Sequence, residues 1–476
     1  MSLTSCSPAA IQTPSLFGTV ILTLSASWVT NYILNVPAEF NYNHGDIDVR
    51  NTQFCNITIT YTHPAYNDQI TVETWLPPRT QWNGRLQATG GGGWQAGRFV
   101  LSEFFMTGAI GEGYAVTTTD AGLGDGEGPS SWALQSPGNI DYVAFNKLGS
   151  RSLNDQAIIG KSLVRSFYGR APDYSYWSGC SQGGRQGLIL AQRYPTAYDG
   201  IAASAPAQSW TKFVSALYYR LLMRQWHGVS PLACELNFLT AEAIAACDAK
   251  DGIADGLISN VSACDYSPYT SVNKTFVCNA PNKTMTLSGA DISQFGLVPG
   301  VNSSQSDIWF NLFVAKNASF DTFQMSPEVY QEFFHLATQE YADTINAADP
   351  DLTAFRNAGG KLLTYHGMAD PSIPTKGTGF YYQSVQDRFP DAQDFYRYFE
   401  SPGLGHGSGG LGGQPTTIFD ALRQWVENGT APDTLPVEYA GREGGHGVMH
   451  RILCPYRAQA KYMGGDISSA ESFRCV

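Results

Sequence analysis

The stretch that most constrains this chain is Tyr176-Trp177-Ser178-Gly179-Cys180-Ser181-Gln182-Gly183-Gly184-Arg185. A short apolar run enters a Gly-x-Ser-x-Gly turn and leaves it into a helical segment, Arg185 to Arg193. A junction of this kind cramps the serine, so that its hydroxyl projects from the end of a sheet. Glycines at 179 and 183 answer the crowding, because a side chain at either place meets neighbouring backbone. The helix N-terminus behind Ser181 turns unpaired N–H groups and a positive dipole toward any negative charge that develops there. With 49 glycines in 476 residues, the five-residue pattern alone arises easily by chance. The strand before it and the helix after it make it informative.

Strand-like and helix-like segments alternate around this junction. Residues 55–80 alternate apolar and polar side chains, and Gly84 to Thr89 reads as a strand that opens into Gly90-Gly91-Gly92-Gly93-Trp94. Gly113 to Asp120 and Tyr198 to Ala203 read as further strands, and Leu153 to Tyr168 has helical periodicity. This order predicts an α/β fold, a mostly parallel sheet with helices on both faces. The alternation stops at about residue 208 and returns at Leu362–Gly367 and Phe395–Phe399, followed by an amphipathic helix over Thr416–Asn428. The expected organisation is a catalytic domain of residues 1–207 and 346–476 carrying an inserted lid, 208–345. Four successive glycines cost backbone entropy. They suit either a loop whose bare N–H groups approach a substrate carbonyl or a tight packing turn.

A net charge of −12 with no basic run argues against nucleic-acid binding. The nine cysteines show no Cys-x-x-Cys spacing. Sequons begin at Asn56, Asn260, Asn273, Asn282, Asn302, Asn317 and Asn428, five of them inside 208–345. Together these predict an oxidising, glycosylating route and hence a secreted protein. Phe17 to Ala26 is too short an apolar run to span a bilayer and has no basic flank. The expectation is a chain whose signal peptide is missing and that has no transmembrane segment.

A serine nucleophile needs a base, and the base an orienting acid. Asp370 follows the strand-like Leu362–Gly367, and His406 follows the next strand. The chain order Ser, Asp, His at strand ends is that of α/β-hydrolases. Among rival histidines, His366 reads as packing at a strand end, and His446, in a Gly-rich tail with His450, is the alternative base. His44, His63, His227 and His335 lack strand-end context. A second constellation, Cys247 to Ile258, carries Asp248, Asp251 and Asp255 among glycines. Three carboxylates so close repel one another unless a cation is present, and hard oxygen donors suit Ca²⁺, although the spacing is not that of an EF-hand. A solvated acidic turn is the plain alternative.

The chain resembles the tannase and feruloyl esterase family of secreted α/β-hydrolases. The resemblance rests on Gly179-Cys180-Ser181-Gln182-Gly183-Gly184-Arg185-Gln186-Gly187, Arg193-Tyr194-Pro195 with Asp199-Gly200-Ile201, His366-Gly367-Met368-Ala369-Asp370 with Ile373-Pro374, and Leu453-Cys454-Pro455-Tyr456. It implies Ser181 as nucleophile, His406 as general base and acid, and Asp370 as the orienting carboxylate. It implies an oxyanion hole from the N–H groups of Gln182 and Gly92. It also implies structural calcium held by Asp248, Asp251 and Asp255 with the carbonyls of Ile253 and Leu257, and no organic cofactor. The family places a cysteine after the catalytic histidine, in a disulfide with the cysteine before the serine. This chain has Gly407 there, which leaves Cys180 without a partner. Family spacing then pairs Cys6–Cys55, Cys247–Cys264 and Cys454–Cys475, and the remaining Cys234 and Cys278 are left to each other. The implied function is hydrolysis of aromatic acyl esters, feruloyl or galloyl, on small molecules, polysaccharides or polyphenols. Lid aromatics such as Trp226, Trp309, Phe310, Phe323, Tyr330, Phe333 and Phe334 supply lid core and part of an acyl pocket. The Gly407 departure keeps open an acyltransferase or specialised secondary-metabolism enzyme, and a non-catalytic scaffold is the third possibility.

Overall fold

Nine strands form the central sheet of the computed structural model, which describes residues 5–124, 128–228, 231–278, 283–287, 304–441 and 447–476. They are β1 (Val20–Val36), β2 (Ile47–Thr62), β3 (Ile70–Leu76), β4 (Arg85–Thr89), β5 (Ala115–Thr119), β6 (Tyr174–Cys180), β7 (Gly200–Ser204), β8 (Lys361–Gly367) and β9 (Tyr396–Ser401). Their order across the sheet is β1-β2-β3-β5-β4-β6-β7-β8-β9. β1, β2, β3 and β5 pair antiparallel, and from β5 to β9 every pairing is parallel. β6, β7 and β8 are buried almost throughout, as strands covered on both faces must be. The C-terminal ends of the parallel strands therefore open on one side, the side where open α/β sheets hold their ligands.

The apolar run from Phe17, judged above only against a membrane, enters a seventeen-residue edge strand instead. Ile21, Leu24, Ala26 and Trp28 lean on a core that includes Ile57 and Ile59, while Thr23, Ser25 and Ser27 face solvent. Helices α1 (Ser102–Gly111) and α8 (Ile418–Asn428) share one core through Met106, Ile110, Phe419, Leu422 and Trp425. Helices α2 (Ser152–Tyr168), α3 (Gln182–Arg193) and α7 (Thr375–Arg388) share another, with Leu153, Leu188 and Tyr382. No helix among the described residues is long and apolar enough to cross a membrane.

Between β7 and β8 the described chain adds no strand to this sheet. It forms α4 (Trp210–His227), α5 (Ala233–Cys247), α6 (Pro327–Ile345) and a hairpin of Thr275–Cys278 with Lys283–Thr286. Its centre is aromatic. Trp210, Trp309, Phe310, Phe313 and Tyr341 are buried together with Trp94 and Trp132 from the sheet side. Of the aromatics named from sequence, Trp309, Phe310 and Tyr330 are buried core, Trp226, Phe333 and Phe334 are half-buried, and Phe323 is exposed. Disulfides join Cys6–Cys55, Cys234–Cys278, Cys247–Cys264 and Cys454–Cys475, and Cys180 is free and buried. His446 and the sequon asparagines Asn282 and Asn302 lie outside the described residues.

Candidate active site

Ser181 stands between β6 and α3 at φ 63°, ψ −120°. A non-glycine residue pays for such a backbone, and the surroundings hold it there. Its N–H donates to the Ser204 carbonyl (3.0 Å), and its own carbonyl accepts from Arg185 (2.9 Å) and Ala207 (3.1 Å). A β-carbon on Gly179 would lie 2.5 Å from the Gly183 backbone, and one on Gly184 2.3 Å from the Ser204 carbonyl oxygen. Strand and helix thus meet at distances only glycine permits. Arg185 is fully buried. It donates to the Gln182 side chain (2.6 Å) and to the carbonyls of Leu148, Gly149 and Ile345, tying the elbow to the end of α6.

The glycine run after β4 lies directly against this elbow. A β-carbon on Gly90 would come 2.6 Å from the Gly183 Cα, and one on Gly91 1.9 Å from the Gln95 carbonyl oxygen. Gln186, one turn into α3, clamps the loop. Its Oε1 accepts from the Gly91 N–H (2.9 Å), and its Nε2 donates to the Ala96 carbonyl (2.9 Å). Gly91 therefore has no N–H to offer a substrate. The N–H groups of Gly92 and Gln182 have no acceptor among the described residues. Beyond the glycines, Trp94 is 1% exposed, stacked on Phe313 (4.9 Å) and edge-on to Trp210 (4.9 Å).

Asp370 and His406 meet past the ends of β8 and β9. Oδ2 of Asp370 accepts from His406 Nδ1 at 2.7 Å, while Oδ1 accepts the N–H groups of Ser372 (2.7 Å) and Ile373 (2.9 Å). Burial pushes the Asp370 carboxyl up, but hydrogen bonds from His366 and His406 and their charges outweigh it and hold the group well below the usual carboxylate range. It is ionised at any working pH. The His406 side chain is 25% exposed, and its Nε2 has no partner among the described residues. His366 is packed at the strand end as read from sequence, its ring fully buried, and its Nε2 also lies 3.0 Å from Asp370 Oδ2. His44, His63 and His450 are engaged by Glu112, Asp68 and Glu438, and His227 and His335 are exposed on α4 and α6.

A β-carbon at Gly407 would lie 2.6 Å from Cys180 Sγ and 3.1 Å from the Tyr42 ring. The thiol thus sits where a cysteine at 407 could bridge to it. Burial, then the nearby Asp370 charge, pushes the Cys180 thiol up, so it stays protonated. The His406 loop is held instead by Tyr365, whose hydroxyl donates to the Gly407 carbonyl (2.8 Å), and by Gly405 N–H to the Gly409 carbonyl (2.9 Å).

Among the described residues no three His, Cys, Asp or Glu side chains form a metal-holding group. The aspartates of residues 248–257 fold inward. Asp248 accepts from the N–H groups of Asp255 and Gly256, Asp251 from those of Ile253 and Ser259, and Asp255 from Leu257, Tyr439 and Arg451. Burial raises the Asp251 carboxyl, as do the neighbouring Asp255 and Asp248 charges. All three are hard oxygen donors of the kind a divalent cation takes, and Asp255 already forms an ion pair with Arg451 at 2.7 Å.

Gln186, Tyr365, the packing of Trp94 and the contact of His366 with Asp370 escaped sequence reasoning. Gln186 had a signal, since it lies one turn beyond Ser181 on the elbow helix.

The family model "Tannase and feruloyl esterase" matches residues 55–297 and 300–476. A probable feruloyl esterase of Arthroderma benhamiae is 33% identical over 98% of this chain and 93% of its own length. A mono(2-hydroxyethyl) terephthalate hydrolase of Piscinibacter sakaiensis is 30% identical over 83% of this chain and 80% of its own. Among solved structures, a tannin acyl hydrolase from Aspergillus niger superposes with a TM-score of 0.85 at 27% identity, covering 99% of this chain and 95% of that one.

Proposed function

The chain belongs to the tannase and feruloyl esterase family and is a carboxylic ester hydrolase acting on aromatic esters, and on that premise we propose that Ser181, His406 and Asp370 carry the reaction through an acyl-enzyme. His406 Nε2 takes the Ser181 proton as Oγ attacks the ester carbonyl. The N–H groups of Gly92 and Gln182, with the N-terminus of α3, receive the oxyanion. Collapse expels the alcohol, which leaves with the proton from His406. Water, activated by the same nitrogen, then releases the acid. Asp370 stays ionised throughout and fixes the tautomer of His406. The observation that carries the proposal is the 2.7 Å Asp370–His406 pair at the same sheet end as the strained Ser181 elbow. The acyl group is a phenolic acid of the feruloyl or galloyl kind, on a small-molecule or polymeric ester.

The test is hydrolysis of methyl ferulate, methyl gallate and a short alkyl ester by the wild type and Ser181→Ala. Aryl-ester turnover that vanishes in Ser181→Ala supports the proposal and names the acyl group. Equal turnover in Ser181→Ala would overturn it.

We also propose that the 248–257 loop takes structural calcium through the carboxylates of Asp248, Asp251 and Asp255 and the carbonyls of Ile253 and Leu257. A chelator should then lower Tm by several degrees, with recovery on added Ca²⁺, and an unchanged Tm sinks the idea. The four disulfides, with the exposed sequon asparagines Asn273, Asn317 and Asn428, support an extracellular, glycosylated protein.

A further inference from the structure

His406 is not alone on Asp370. Oδ2 also faces His366 Nε2 at 3.0 Å, and that nitrogen has a second acceptor, the Ile373 carbonyl, at 3.1 Å. Both are acceptors, so Nε2 carries the proton. The other nitrogen, Nδ1, lies 2.8 Å from the Thr378 hydroxyl on α7, which then donates to it. The ring is fully buried and hydrogen-bonded at both nitrogens. A carboxylate offers about four acceptor positions, and on Asp370 two amides and two imidazoles occupy them. The two imidazoles share one oxygen. Whatever electron density His366 draws from Oδ2 is not available to stabilise the imidazolium of His406.

We propose that His366 is a positioning residue of the catalytic acid, orienting Asp370 and setting how strongly it raises the basicity of His406. The proposal rests on the Ser181–His406–Asp370 reading above. It differs from ordinary strand-end packing, for which an apolar side chain of similar size serves. The other titratable or charged groups around the pair come from four elements. Glu400 is the register partner of His366 on β9, and burial raises its carboxyl. Cys180 on β6 and Tyr42 on the N-terminal loop are held protonated by burial. Arg220 on α4 donates to the Pro371 carbonyl at 3.5 Å. None of these hydrogen-bonds Asp370 among the described residues.

The experiment measures kcat and KM for an aryl ester from pH 4 to 9 in wild type, His366→Leu, His366→Gln and Ser181→Ala, each as the full chain. In His366→Leu the freed Oδ2 pulls harder on His406. The acidic limb of kcat/KM should then move up by about half to one pH unit. Alongside it kcat should fall about tenfold, with KM within about twofold. His366→Gln, whose amide N–H reaches toward the same oxygen, should return the limb close to the wild-type position. If His366→Leu does not fold, Thr378→Val reads the same limb, since losing the hydroxyl weakens the Nε2 donor; a smaller upward shift is expected. An acidic limb unmoved in the folded variants, whatever happens to kcat, would overturn the positioning role while inactive Ser181→Ala leaves the triad intact. Activity persisting in Ser181→Ala would instead remove the triad itself.

Discussion

Ser181 and His406 sit at the same end of one sheet, both amid close glycine packing, yet of the two only the His406 side chain is itself hydrogen-bonded among the described residues. Around Ser181 the constraint is excluded volume: backbone meets backbone at distances that forbid a β-carbon on Gly90, Gly91, Gly179 or Gly184. Around His406 glycine packing is just as close, with a β-carbon on Gly367 falling 2.1 Å from the Gly405 carbonyl oxygen and one on Gly412 1.8 Å from that of Pro402, and polar bonds reach the ring and its loop as well. These are Asp370 on the ring, Tyr365 on the Gly407 carbonyl and a short turn between Gly405 and Gly409. Steric placement fails all at once. Hydrogen-bonded placement fails in steps of about 1 kcal/mol per bond. The Cys180–Gly407 pair, where a cross-link could stand and does not, lies on the His406 side.

The contrast breaks first at the elbow. Gly179→Ala places a β-carbon 2.5 Å from the Gly183 backbone, and shifting Ser181 by about 1 Å should cost on the order of a hundredfold in kcat/KM. Gly183→Ala, with 3.1 Å to the Gly91 carbonyl oxygen, should lose clearly less in the same assay. On the base side, Gly407→Cys should close a disulfide with Cys180. Thiol titration of the denatured protein should fall from one free thiol to none. Closing so long a loop favours the fold by about 4–5 kcal/mol. The left-handed φ of +75° at 407 takes back about 1–2 kcal/mol. Tm should therefore rise by several degrees while kcat changes only a few-fold. A lower Tm with the disulfide formed would mean that strain outweighs the tie.

Acid sharpens the contrast further. The folded Asp370 carboxyl titrates below its unfolded value of 3.8. Its ionised form therefore contributes stability that is complete above the unfolded pKa and lost as pH falls toward the folded one. Asp155 and Glu400, whose carboxyls are raised mainly by burial, act with the opposite sign. Tm measured from pH 6 to pH 3 should fall less steeply in Asp370→Asn than in wild type; parallel curves would remove Asp370 from the acid response. The smallest effect belongs to Tyr365→Phe. It loses one hydrogen bond to the His406 loop, worth about 1 kcal/mol, and should lower kcat a few-fold with KM unchanged.

What could be read from the chain itself was whatever local chemistry writes locally. The elbow announces itself by its glycines, and Asp370 and His406 by their place just after strands. The cross-sheet partners were hidden for a physical reason. Gln186 reaches Gly91 across 95 residues, and Tyr365 reaches Gly407 across 42. No local pattern encodes which side chain will cap which loop. His366 shows the same limit at short range, since four residues separate it from Asp370 and only the folded strand end turns its Nε2 onto the carboxylate. β1 was missed because its apolar residues do not alternate strictly; the register shifts near Ile21, Val29 and Tyr32 break the period.

Trp94 has a consequence for anyone wishing to change which acid this enzyme releases. The obvious route is to transplant the segment between Trp210 and Ile345 from a relative with another preference. That segment supplies Trp210, Trp309 and Phe313, the walls of the socket that grips Trp94. Four glycines have little stiffness of their own, so an ill-fitting socket would leave the loop to its hydrogen bonds with Gln186. A graft of that kind would lower activity along with any change in selectivity. Trp94 and Trp132 have to travel with the donor segment.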